Sequence, residues 1–138
     1  MTAHPTLAPA RARPRADLTT TVLLVVAAAQ LLPGVIALVA PGAFYDLLAP
    51  YPPENAHLSK DLGAWQIALG AAALLAARRP DWRAPMLAVL ALQYGLHTIS
   101  HVIDVGGSDP AWNGPAVLTL QALATLVLLA LLLKERRP

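Results

Sequence analysis

Four stretches of this sequence are almost wholly apolar, and each approaches the ~20 residues with which a helix crosses ~30 Å of hydrocarbon. They run about 18–40, 56–77, 84–104 and 115–133. With 57% hydrophobic and 13% charged residues, the chain lacks the polar surface that would let a soluble domain cover these segments. The expected fold is therefore all-α, a four-helix transmembrane bundle running up, down, up and down. Asp17 stands where it can cap the first span, and Pro33-Gly34 inside that span predicts a kink. The second stretch is purely apolar only from Leu62 to Ala77, so its helix has to begin earlier, among Asn55 to Asp61. Pro115 suits the first turn of the fourth, with Asn113 near the capping position.

Residues 1–17 carry Arg, Pro and Thr with no long apolar run and read as a disordered basic tail; residues 134–138 form a second basic tail. The first apolar stretch exceeds the ~7–15 residues of a signal-peptide core, so it is expected to stay as a span. Orientation follows from the basic residues. Arg11, Arg13 and Arg15 precede the first span, Arg78, Arg79 and Arg83 separate the second from the third, and Lys134, Arg136 and Arg137 follow the fourth. Lys60 is the one basic residue elsewhere. The positive-inside rule then places both termini and the middle loop in the cytoplasm of a cell-membrane protein, in agreement with an even number of spans.

A net charge of +2 gives no reason to expect nucleic acid as a partner. The absence of cysteine removes disulfides, thiolate nucleophiles and thiolate-bound metals. No phosphate-binding loop, dinucleotide fingerprint or Gly-x-Ser-x-Gly elbow is present. Phe44, Tyr45, Tyr51, Trp82 and Trp112 fit belts at the membrane surfaces, and residues 43–48, between Pro41 and Pro50, suit a short amphipathic turn there.

Polar residues inside spans carry the functional signal, because burying them in lipid is costly. His57 and Asp61 are four apart, as are His97 and His101, with Tyr94 and Asp104 three residues to either side of the second pair. At about 1.5 Å per residue from Arg78 and Arg83, Asp61 and His101 both lie ~26–27 Å up, near the outer leaflet, with His97 ~21 Å up. The second and third spans, antiparallel and joined by a short loop, are expected to be neighbours. His57, Asp61, His97 and His101 would then form a cage for zinc, copper or iron, with His97 or His101 also able to serve as a haem ligand. Asn55, Lys60, Tyr94 and Asp104 would support it from the second rank. A plainer reading is equally available: His57, Lys60 and Asp61 sit wet at the interface, and Ser59 caps the helix in place of an earlier residue. Each span also holds one glutamine, Gln30, Gln66, Gln93 and Gln121, at ~15–20 Å. These suit interhelical hydrogen bonds, or a polar floor beneath a cavity opening outward. Gly63, Ala64, Ala68 and Ala71 to Ala73 suit close helix packing.

The run Asn55-x-His57-x-x-Lys60-Asp61-x-Gly63-Ala64, followed by an alanine-rich span, an arginine loop and a span ending in histidines, resembles a group of small four-span actinobacterial membrane proteins. Span count and size also resemble the DoxX-like grouping of compact four-helix membrane bundles, some of them tied to quinone or thiol redox systems. That resemblance implies a fold and no activity, and the thiol role lacks its cysteine. The expected function is a multi-pass membrane protein with a polar His/Asp site, metal- or haem-binding and redox or isomerase-like. A small carrier and an accessory subunit are the alternatives. A small hydrophobic molecule or quinone, the bilayer itself and a second copy of the chain are the expected partners.

Overall fold

Asp17 opens the first helix: its carboxylate accepts the Thr20 amide at 2.8 Å and satisfies one of the donors that a helix start leaves free. From there the computed structural model, which describes residues 17–136, runs through five α-helices. These are α1 (Leu18–Val39), α2 (Pro41–Leu48), α3 (Ala56–Arg78), α4 (Arg83–Ile103) and α5 (Asn113–Glu135), with a 3₁₀ turn at Pro80–Trp82. No strand occurs among the described residues. The basic tail with Arg11, Arg13 and Arg15, together with Arg137 and Pro138, lies outside them.

α1 is continuous through Pro33, whose missing N–H leaves the Ala29 carbonyl without its i+4 donor. α3 begins at Ala56 because the Asn55 side chain accepts the amides of His57 and Leu58 at 3.1 and 3.0 Å. Ser59 is thus a buried residue of the first turns and not the cap. α1, α4 and α5 are long and apolar enough to cross a membrane. α3 matches them in length but falls short in apolarity, being built from Ala and Gly with Gln66, Lys60 and Asp61.

α1 and α3 lie antiparallel in close contact, as do α4 and α5. α3 and α4 touch little beyond the turn that joins them, which corrects the expectation that these two would be neighbours. Small residues explain the pairing. A Cβ on Gly63 would stand 2.7 Å from the Gly34 carbonyl oxygen, and one on Gly34 would stand 3.0 Å from the Gly63 oxygen. Only glycine at both positions lets the two backbones meet, and that contact fixes which face α3 turns inward.

At the end bearing Arg78, Arg79, Arg83 and Lys134, all four long helices converge on one core. Leu23, Leu87, Leu90 and Leu128 are fully buried there, beside Ala73 and Ala76. Polar ties clamp the same end: Arg83 donates to Asp17 at 2.8 Å and to Thr20 at 2.7 Å, and Thr19 donates to Glu135 at 2.7 Å. Toward the opposite end the two helix pairs part. The outer faces stay apolar, with Leu32, Val35, Val89, Leu92, Ile99 and Leu126 exposed, the arrangement of a protein whose surroundings are lipid.

Candidate functional site

The parting of the helix pairs leaves a chamber of about 810 Å³ between them. Its walls are mostly apolar, from Val26 and Ala29 of α1 to Val117, Leu120 and Ala124 of α5. The packed leucines close it at the basic end. At the other end it is roofed by α2, whose Phe44 is buried beneath it, and by the segment leading to α3. The Asp109 amide donates to the Pro50 carbonyl at 2.9 Å and ties the loop between α4 and α5 to this roof.

All four glutamines of the chain face this chamber, one from each long helix. Gln30 donates from Nε2 to the Tyr94 hydroxyl at 3.1 Å, so it also serves as interhelical glue. Gln66, Gln93 and Gln121 differ: each has a buried Oε1 with no hydrogen bond among the described residues. Three amides from three helices thus line an apolar space while their oxygens stay shut from water and unpaired, a state that costs about 1–3 kcal/mol per group.

The second polar feature is a row of rings. His97 and His101, one turn apart on α4, stack with centroids 4.8 Å apart, their Nε2 atoms in hydrogen-bond contact at 3.1 Å. Tyr51, from the roof, reaches His101 Nδ1 with its hydroxyl at 3.1 Å. His97, His101, Tyr51 and Tyr94 all line the chamber, and His101 is buried. An Nε2···Nε2 hydrogen bond needs a hydrogen on one nitrogen and a lone pair on the other, so the two imidazoles are complementary in protonation.

The expected four-ligand cage is not assembled. His57 and Asp61 pair with each other at 3.5 Å, but their side chains are 88% and 64% exposed, and with Lys60 they lie outside the chamber. Among the described residues no three His, Asp or Glu side chains come together where a metal could be held. The metal and haem centre drawn from His57, Asp61, His97 and His101 is therefore unsupported. The physical reason is rotational. Ser59, Gly63, Gln66 and Gly70 form the inward stripe of α3, and residues two positions away are turned by about 200°, so packing Gly63 on Gly34 swings His57 and Asp61 outward. Of the supporting residues, Asn55 caps α3 and lines the chamber edge, Tyr94 is buried on Gln30, and Asp104 closes α4 at the exposed mouth.

Tyr51 is the residue that sequence reasoning missed. Its sequence context marks it only as an interface aromatic like Tyr45, and nothing local announces a bond to a histidine fifty residues away. Trp82 and Trp112 keep the exposure of surface anchors, at 48% and 67%.

A family model described as a domain of unknown function, DUF4345, matches residues 18–133, all of the helical region but the last two residues of α5. No curated protein and no solved structure matches the chain. Membership of the DoxX grouping or an actinobacterial source does not follow from that match.

Proposed function

We propose a function for this chain, which belongs to the DUF4345 family: it is a multi-pass membrane protein that holds a small, uncharged, hydrophobic molecule by its polar head. The observation that carries this reading is the apolar chamber with a glutamine from every long helix along its walls. Pockets of ~300–1,000 Å³ with apolar walls and a few convergent polar groups are the usual form of a small-molecule site. The deep lining is neutral, since Asp104 stands at the mouth, so the ligand's head is matched by hydrogen bonds and not by charge. A quinone, with ring carbonyls to accept from amide N–H groups and an apolar tail, falls within this class.

In the same reading α3 crosses the bilayer as a fourth span, because it follows α1 closely in antiparallel register despite its lower apolarity. The basic end faces the cytoplasm with both termini, by the positive-inside rule, and the roofed chamber opens in the outer half of the cell membrane. The leucine core between chamber and cytoplasm favours a binding site with one entrance over a carrier with two.

The test is extraction of bound molecules from protein isolated with its native lipid in polymer discs. Wild type is expected to carry a neutral small molecule in near-stoichiometric amount, and the triple variant Gln66→Leu, Gln93→Leu, Gln121→Leu is expected to fold and lose it. Identical extracts from both proteins would refute the reading.

A further inference from the structure

The row Tyr51–His101–His97 has a property that the chamber alone does not explain. Each of its contacts can be donated in either direction, and only two arrangements keep all three residues uncharged. In one, the Tyr51 O–H donates to His101 Nδ1 and the His101 Nε2–H donates to His97 Nε2, which leaves the hydrogen of His97 on Nδ1. In the other, the His97 Nε2–H donates to His101 Nε2 and the His101 Nδ1–H donates to the tyrosine oxygen, which leaves His97 Nδ1 bare. His97 Nδ1 has no hydrogen-bond partner among the described residues, and His97 lines the chamber. The same atom is therefore an acid in one arrangement and a base in the other. Concerted transfer along the row switches between them without leaving a charge in apolar surroundings.

We propose that His97 is a general acid–base residue acting on the chamber's ligand, with His101 and Tyr51 as positioning residues that carry the proton to and from the roof. This rests on the chamber being a small-molecule site. The substrate class that fits is a hydrophobic ketone with acidic α-hydrogens, its oxygen held by glutamine N–H groups. In the forward step the lone pair of His97 Nδ1 takes an α-hydrogen as a proton. The C–H electron pair becomes the C=C bond, and the carbonyl π pair moves onto the oxygen, which takes up a proton from water to give the neutral enol. The His97 Nε2 hydrogen passes to His101 Nε2, the His101 Nδ1 hydrogen passes to the Tyr51 oxygen, and the tyrosine's own proton leaves to water at the roof. Reversal returns a solvent proton to the same carbon, or to the γ-carbon of an unsaturated ketone, which moves its double bond. Water is the only co-reactant, and no oxidant or reductant is consumed.

The probe is 2-tetralone, an uncharged ketone with acidic α-hydrogens, incubated in deuterium oxide with proteoliposomes of the full chain. Positioned acid–base groups contribute about 10²–10⁴-fold, so deuterium should enter the α-position at least ~10-fold faster than in protein-free liposomes even for a loosely held probe. His97→Gln should return the rate to background, and Tyr51→Phe, which keeps the ring but cannot relay, should lower it several-fold. Nitrogen-15 spectra of histidine-labelled protein supply a signature independent of turnover. The wild type should show one protonated and one bare Nε2, and Tyr51→Phe should shift the His101 Nδ1 resonance, which a purely packing role would leave in place. Background exchange by a wild-type protein that binds 2-tetralone, as measured by saturation-transfer NMR, overturns the relay while the chamber reading stands. Failure to bind the probe overturns both. Two doubly protonated imidazoles would also refute the row, whatever the variants do.

Discussion

Gly63→Ala tests the contact on which the whole arrangement turns. The added methyl would stand 2.7 Å from the Gly34 oxygen, 3.0 Å from the Leu38 amide nitrogen and 3.1 Å from the Ala37 Cβ, and the first two are backbone atoms that no rotamer change can move. Restoring an ordinary contact of 3.4 Å from 2.7 Å requires α1 and α3 to part by about 0.7 Å. A gap of ~0.5–1 Å forfeits about a quarter to a half of each dispersion contact along the interface, and overpacking of this kind costs about 1–3 kcal/mol. Alanine also gains about 0.8–1.0 kcal/mol over glycine in helix propensity, which blurs a single measurement. Gly95→Ala removes the ambiguity: it makes the same change in α4, where the added methyl meets only the Thr125 methyl at 3.7 Å. Propensity cancels in the comparison, so Gly63→Ala should be less stable than Gly95→Ala by about 1–3 kcal/mol. Reversible unfolding in mixed micelles, followed by circular dichroism, reads that difference. Equal stability of the two variants would show that α1 and α3 do not meet at Gly34 and Gly63, and the outward rotation of His57 and Asp61 would lose its cause.

Three further outcomes are expected. Gln121→Leu should leave stability unchanged or raise it by about 1 kcal/mol, since its buried oxygen has no partner, whereas Gln30→Leu should lower it by about 0.6 kcal/mol through loss of the Tyr94 bond, both in the same unfolding assay. The Thr20 amide first, and then Arg83, hold the Asp17 carboxyl below its usual 3.8; the stabilisation from ionising it is complete above that value and fades as pH falls through the lowered one. An acid titration of unfolding should therefore show a small loss below pH 3.8 that Asp17→Asn abolishes, and Asp17→Ala should cost about 1 kcal/mol at neutral pH. Because the chain has no cysteine, single thiols report topology cleanly: Asp109→Cys should react with an impermeant maleimide on intact cells and Arg79→Cys only after permeabilisation, and the reverse pattern would invert the proposed orientation.

Legibility followed the range of the interactions. The Asp17 cap, the helix across Pro33 and the short helix between Pro41 and Pro50 depend on neighbours within a few positions, and the sequence displays those neighbours directly. Counting residues from the arginines put the four glutamines at a common depth, and all four line one chamber. Spacing likewise made His57 and Asp61 share a face, and they touch. What spacing could not supply was the direction of that face, and the metal cage assumed it pointed toward α4. Tyr51 was illegible for a different reason, since its partner His101 is brought to it only by the folding of the roof over the helix pairs.

By itself the sequence determined the medium and the elements: the length of its apolar runs demands lipid, and caps and prolines mark where helices start. The tertiary structure alone decided which helices pair and how each is rotated about its axis. In lipid the outward and inward faces are both apolar, so hydropathy carries no direction. Rotation is set by the few places where backbones can touch, here Gly34 against Gly63, and that one contact turns the glutamines into the chamber and His57 and Asp61 away from it.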